Sequence, residues 1–162
     1  MKTITVLKLG TFNTDTATGL KGMITHWQYG LDGFVRYLLQ PKALNPETGL
    51  PVDKINLEKE RFKDQSQIEN IEVPVEILGS QVTDNASGLT GTAIAFVRHN
   101  TGCFHVVIQP AGVIKKTNQC IDRTDVALTQ CSGPKIKVMT AAQTKTEETK
   151  RPSPGPAKFR NW

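Results

Sequence analysis

Long apolar runs are missing from this sequence. No stretch approaches the roughly 18 consecutive apolar residues that a membrane-spanning helix needs. The first ten residues, MKTITVLKLG, include Thr3, Thr5 and Lys8 among their apolar positions, which argues against a signal peptide. The sequence therefore predicts a protein that does not span a membrane and has no membrane partner.

Cysteine is scarce and unpaired. Cys103, Cys120 and Cys131 are odd in number and form no C-x-x-C pair, which predicts a reduced compartment. Cys103 and His105 are two residues apart and with Cys120 would make a partial zinc site, but structural zinc almost always takes four ligands. We therefore expect neither a metal nor another cofactor. Because Phe34 occupies the position that matches Cys103, we expect this cysteine to be small core filling.

Motifs for catalysis and nucleotide binding are also missing. Neither G-x-x-x-x-G-K-[ST] nor G-x-G-x-x-G occurs, and G-x-S-x-G and H-E-x-x-H are absent too. The segment Gly19-Leu20-Lys21-Gly22 is typical of a hairpin turn. The sequence predicts a protein that is not an enzyme.

Positive charge is unevenly distributed. The net charge is +5, but seven basic and two acidic residues lie from Lys135 onward, which leaves thirteen of each sign in residues 1–134. A neutral body lacks the basic surface that phosphate binding usually requires, so nucleic acid is not expected as a partner. Residues 140–162 form a basic, proline-rich tail that is too polar to fold by itself.

The dominant feature that is present is an internal repeat. Residues 9–41 align without a gap with residues 78–110 at a constant offset of 69, and 11 of 33 positions are identical. A repeated unit of this size predicts two small units that pack on each other or on a partner. The identical pairs are Leu9/Leu78, Gly10/Gly79, Thr14/Thr83, Asp15/Asp84, Ala17/Ala86, Gly19/Gly88, Leu20/Leu89, Gly22/Gly91, Gly33/Gly102, Gln40/Gln109 and Pro41/Pro110.

The repeated residues predict a fixed turn geometry. Asp15 is placed to accept hydrogen bonds from backbone N–H groups one or two residues on, and Gly19 and Gly22 are able to adopt positive φ. A carboxylate with no partner carboxylate cannot divide acid and base roles, so turn capping is favoured over general-base or metal chemistry. The predicted structural turn residues are Asp15, Gly19, Gly22, Gly33, Asp84, Gly88, Gly91 and Gly102.

Short β-rich segments between these turns predict an all-β fold. Each copy offers four or five strands, and connections this short join antiparallel neighbours. Such units suit a small SH3-like barrel, because an immunoglobulin-like sandwich needs about seven strands. We expect two tandem SH3-like β-barrels with an extended C-terminal tail. Their bounds are 1–70 for the first barrel, 71–139 for the second and 140–162 for the tail.

Beyond the repeat the two copies are expected to differ in length. Aligning Leu57-Glu58-Lys59 with Ile121-Asp122-Arg123 lowers the offset from 69 to 64. That alignment predicts that the second copy's surface loop is five residues shorter.

The turn and the strand that follows it resemble those of small SH3-like barrel proteins of tailed bacteriophages. The resemblance rests on the turn D-x-x-[TS]-G-[FL]-x-G, a glycine-cysteine pair, here Gly102-Cys103, and a strand ending near a proline. It covers roughly residues 5–130, and the first copy departs from it with Phe34 at the cysteine position. The resemblance implies a phage origin and carries no catalytic signature.

We therefore expect a non-enzymatic virion structural protein, made in the host cytoplasm. Head decoration is the first choice and the neck or tail the second. The partner is the major capsid protein, another virion protein or further copies of the chain, contacted through barrel strands and the C-terminal tail. Partner-binding candidates in the first copy are Trp27, Tyr29 and Tyr37, for which core filling is the favoured alternative. Candidates in the tail are Lys158, Phe159, Arg160 and Trp162.

The alternative is an intracellular phage module that binds nucleic acid, a nucleotide or a host protein. Its support would be exposure of Trp27, Tyr29, Tyr37 and Arg98 in one groove, because bases and peptides stack on aromatic side chains. Steep salt dependence of DNA binding would favour it.

Overall fold

The computed structural model describes residues 1–136, and the predicted all-β class is confirmed there. Eleven strands within these residues are joined by turns and short 3-10 helices. No helix among them combines the length and the hydropathy needed to cross a bilayer. The strands are β1 Lys2–Leu7, β2 Phe12–Thr14, β3 Lys21–Gly30, β4 Val35–Pro41, β5 Ile55–Glu58, β6 Ile68–Val73, β7 Gln81–Asp84, β8 Thr90–His99, β9 Phe104–Pro110, β10 Thr124–Ala127 and β11 Cys131–Ser132.

Both copies of the repeat contribute to one antiparallel sheet. Its strand order is β10-β9-β8-β3-β4-β5, with β2 on β3, β7 on β8 and β11 on β7. The central contact is β3 against β8, which joins the first copy to the second. A separate two-stranded sheet pairs β1 with β6. The path of the large sheet ends at β5 and β10, so the described residues form no closed barrel.

The division expected between residues 70 and 71 falls inside β6. This strand pairs along its length with β1, from Lys2 opposite Val73 to Leu7 opposite Ile68. One hydrophobic cluster contains residues of both copies, including the fully buried Trp27, Tyr37, Phe62 and Phe96. The two copies therefore share a sheet and a core.

The predicted shortening of the second loop is wrong. Strands β8, β9 and β10 begin and end 69 residues after β3, β4 and β5, so the offset continues beyond the repeat. The bridge between Leu44 and Pro51 in the first loop likewise has its counterpart between Val113 and Cys120. Leu57 therefore matches Val126, and both side chains are buried. Burial of alternate residues sets the register of a strand, and this outweighs a three-residue likeness in charge pattern.

Candidate functional site: a histidine and aspartate cluster on the sheet

Asp15 caps the first turn and holds it to the segment after β5. Its carboxylate is fully buried and accepts hydrogen bonds from the backbone N–H groups of Ala17, at 3.2 Å, and Thr18, at 3.3 Å. The Arg61 guanidinium donates two more, from Nε at 2.8 Å and Nη2 at 2.7 Å. Chiefly through Arg61, these bonds hold the pKa of Asp15 well below its usual range. Asp15 therefore holds the turn in place.

Asp84 makes the matching turn with a neutral partner. It accepts from the N–H groups of Ala86, at 3.0 Å, and Ser87, at 3.3 Å, and from Gln130 Nε2 at 3.3 Å. Gln130 stands 69 residues after Arg61, so the second copy replaces an ion pair by one hydrogen bond from a neutral amide donor. The Ser87 hydroxyl is the main cause of the lowered pKa of Asp84.

The repeated glycines serve two different purposes. Gly19 has φ +74°, and Gly33, Gly88 and Gly102 also have positive φ. The expectation of positive φ at Gly22 is wrong; glycine is needed there instead because the backbone of β4 leaves no space for a Cβ. A Cβ at Gly22 would overlap the carbonyl oxygen of Gln40, and one at Gly91 would overlap that of Gln109.

The three aromatic candidates for partner binding are buried. Trp27 is 0%, Tyr29 6% and Tyr37 1% exposed. Tyr37 Oη accepts a hydrogen bond from the N–H of Leu7 at 3.1 Å, which ties β4 to β1. These side chains fill the core, so they do not form the predicted surface. The tail candidates Lys158, Phe159, Arg160 and Trp162 lie outside the described residues.

Cys103 is not core filling. Cys103 and Cys120 are exposed, and Phe34, which matches Cys103, is 66% exposed. Phe34 directly follows Gly33, and Cys103 directly follows Gly102. Each glycine has positive φ and lies in the hairpin turn between two strands.

All three histidines of the chain meet on one face of the sheet. His26 lies directly opposite His99 across the β3–β8 pair. Because Val97 is opposite His105 in β9, His99 lies diagonally across from His105 on the same face. Asp125 of β10 likewise lies diagonally across from His105, because His105 pairs with Ala127. The four residues form a row across four neighbouring strands.

The members of this row are in contact. Ring centroids are 5.0 Å apart for His26 and His99, and 4.5 Å apart for His99 and His105. His105 Nδ1 lies 2.6 Å from Asp125 Oδ1, and His99 Nε2 lies 3.8 Å from Asp125 Oδ2. Each of His99, His105 and Asp125 offers one possible metal-ligand atom, and these three atoms lie within 4.8 Å of one another.

Burial lowers the pKa of two of the imidazoles. It is the main cause that lowers the pKa of His26 to about 4, and it also lowers the pKa of His99. His99 Nε2 is buried and has no hydrogen-bond partner among residues 1–136. A cleft of about 200 Å³ beside His99 is lined also by Lys8, Glu69 and Arg98.

This cluster is not apparent from the residues that the two copies share. The positions matching His99, His105 and Asp125 are Gly30, Arg36 and Asn56, so the first copy lacks the set. The short hairpin between β8 and β9 does predict that His99 and His105 are cross-strand neighbours. Asp125 follows a long loop, and only the register of β10 brings it near.

Comparison of the chain with family models, with curated proteins and with solved structures finds no match to any of them.

Proposed function

We propose that this protein is a non-enzymatic structural component of a tailed-bacteriophage particle, with head decoration as the first role and the neck or tail as the second. Each copy of the repeat would be a modified SH3-like unit. Its partner would be the major capsid protein, bound through the surface loops and the C-terminal tail. The turn motif around Asp15 and Asp84 supports the phage assignment.

The observation that carries this proposal is a pair of loops at matching positions, each with two exposed apolar side chains. Residues 42–54 follow β4, and residues 111–123 follow β9. Leu44 and Leu50 in the first loop are 65% and 64% exposed, and Val113 and Ile114 in the second are 48% and 42% exposed. Apolar groups exposed on matching loops favour protein contacts.

The two loops lie at opposite ends of the sheet. Strand β3 is antiparallel to β8, and each is antiparallel to the strand that follows it. Consequently β4 and β9 run in opposite directions, and the loops leave the sheet at opposite ends. A body with one contact at each end suits a protein that bridges two neighbouring copies of a repetitive surface.

Each loop is held in shape before any partner binds. Gln40 Nε2 donates to the Val52 carbonyl at 2.7 Å, and Gln109 Nε2 donates to the Ile121 carbonyl at 3.1 Å. Within the first loop the N–H of Asn45 donates to the Leu50 carbonyl at 2.8 Å. Ordered loops lose less entropy on association, which favours binding.

Mass spectrometry of purified particles tests the proposal. We expect the chain at high copy number, with incorporation reduced in the Leu44→Asp/Leu50→Asp variant and in the Val113→Asp/Ile114→Asp variant. Phe34→Asp, an exposed apolar residue outside both loops, is the control and should be incorporated normally. Deleting residues 140–162 should abolish incorporation. Absence of the wild-type chain from particles would contradict the proposal, and salt-sensitive DNA binding by that chain would favour an intracellular binding module.

A further inference from the structure

We propose that His99, His105 and Asp125 bind a divalent transition-metal ion on the sheet face opposite the core. The proposal does not depend on a role in a phage particle. It rests on the row of side chains across β8, β9 and β10, and on the unpartnered nitrogen of His99.

The donor atoms are close to the spacing that such an ion needs. In a tetrahedral zinc site with bonds of about 2.0–2.1 Å, the ligand atoms lie roughly 3.4 Å apart. The three donors are already within 4.8 Å of one another, and His99 Nε2 is 3.8 Å from Asp125 Oδ2. The three side chains are 29%, 28% and 44% exposed, so small rotations can bring His99 Nε2 closer and open the 2.6 Å contact between His105 Nδ1 and Asp125 Oδ1 to ligand spacing.

The second observation is that one ring nitrogen of His99 lacks a hydrogen-bond partner in the described part of the chain. Its Nε2 is buried without a hydrogen-bond partner among the described residues, although buried polar atoms are nearly always paired. A neutral imidazole offers a lone pair at one ring nitrogen, and that is the form that binds metals. An ion beside Asp125 would satisfy this atom.

The donor set indicates the class of ion. Two imidazoles and one carboxylate suit Zn²⁺ and its neighbours in the first transition row, whereas Mg²⁺ and Ca²⁺ prefer oxygen ligands alone. Asp125 supplies negative charge, while Lys54 is near enough to help lower the pKa of His99, after burial and His105. Lys54 therefore weakens cation binding. A fourth position remains for water on the exposed side.

The ion would connect three strands and one loop. Asp125 lies in β10 just after residues 111–123, and His105 lies in β9 just before them. Metal bound to both would fix the base of that loop. The first copy has Gly30, Arg36 and Asn56 at the matching positions, so it offers a control site on nearly the same backbone.

The test is titration of the full chain with ZnCl₂ by calorimetry, with bound zinc counted by elemental analysis after gel filtration. We expect one ion per chain. His105→Gln and Asp125→Asn should each weaken zinc binding by at least about tenfold, the lower range seen even for groups that only support metal ligands. Arg36→Gln should bind as wild type does, and circular dichroism should show that every variant is folded.

The exposed cysteines need their own control. Cys103→Ser and Cys120→Ser should retain zinc, and Co²⁺ should give the absorption of nitrogen and oxygen ligation without a thiolate charge-transfer band. No zinc bound by the wild type at millimolar concentration would overturn the proposal. Unchanged affinity in both His105→Gln and Asp125→Asn, or loss of zinc in Cys103→Ser, would also overturn it.

Discussion

Gln28 lies directly opposite Val97 in the central strand pair, and Val97 is the residue that stands 69 positions later in the second copy. Each residue therefore faces its own counterpart. Thr3 and Glu72, also 69 apart, face each other in the β1–β6 pair. Both pairings are those of a two-fold arrangement, in which one surface patch contacts its own equivalent. The two copies meet within one chain as the subunits of a symmetric dimer would.

A shared sheet and core predict that both copies unfold together. In a Trp162→Phe background, Trp27 fluorescence reports on the core and far-ultraviolet circular dichroism on all strands. We expect one urea transition with the same midpoint by both probes, because small units with a common core behave cooperatively. Two separate transitions would show that the copies are independent domains.

The ion pair at Asp15 predicts unequal effects of matched substitutions. Asp15→Asn removes the negative charge and replaces one of the two oxygens that accept from Arg61 by an NH2 group, so we expect the melting temperature to fall by several degrees. Asp84→Asn should cost less, because its partner Gln130 is neutral. Arg61→Gln gives the first turn the partner found in the second copy and should be the mildest of the three. Differential scanning calorimetry measures the order, and a larger effect of Asp84→Asn would contradict it.

Sequence patterns were sufficient for the turns and strands because local chemistry determines them. Asp15 caps the turn two residues on, Gly19 supplies its positive φ, and Pro41 lies opposite Gly22 on the neighbouring strand. The join between β3 and β8 has no such local signal, since any strand with a free edge can pair there. The sequence therefore predicts separate barrels, whereas in the structure nine strands from both copies form one sheet and β1 and β6 form a second.

The histidine cluster could not be predicted from the sequence either, because it too depends on how the strands pair. Residues kept in both copies mark the common backbone, whereas His99, His105 and Asp125 occur in the second copy alone. Their meeting depends on the register of three strands and on a loop whose length was predicted incorrectly. Similarly, the aromatic character of Trp27 and Tyr37 does not distinguish core from binding surface until the sheet face is known.

Close backbone approach at Gly22 predicts a larger cost for alanine there than at Gly19. A Cβ at Gly22 would overlap the Gln40 carbonyl and push β3 from β4, which costs about 1–3 kcal/mol or more. At Gly19 the space is open and only the positive φ is unfavourable, at about 1–2 kcal/mol. Urea denaturation gives both free energies of unfolding, with Lys21→Ala as the control. Gly22→Ala within about 0.5 kcal/mol of wild type would contradict the close approach.

Trp27 fills a core position that the second copy fills with Phe96, and this predicts that phenylalanine is tolerated there. Both side chains are fully buried, and Trp27 Nε1 has no hydrogen-bond partner among residues 1–136. Trp27→Phe loses apolar contacts but also removes a buried, unpaired N–H, so we expect a loss of about 1–2 kcal/mol in the free energy of unfolding. Trp27→Ala leaves a large cavity and should cost about 3–5 kcal/mol. Urea denaturation followed by circular dichroism separates the two, and exposed Phe34→Ala should change the free energy of unfolding by less than about 0.5 kcal/mol. Equal losses for the two Trp27 variants would contradict the prediction that a phenylalanine ring fills this core position.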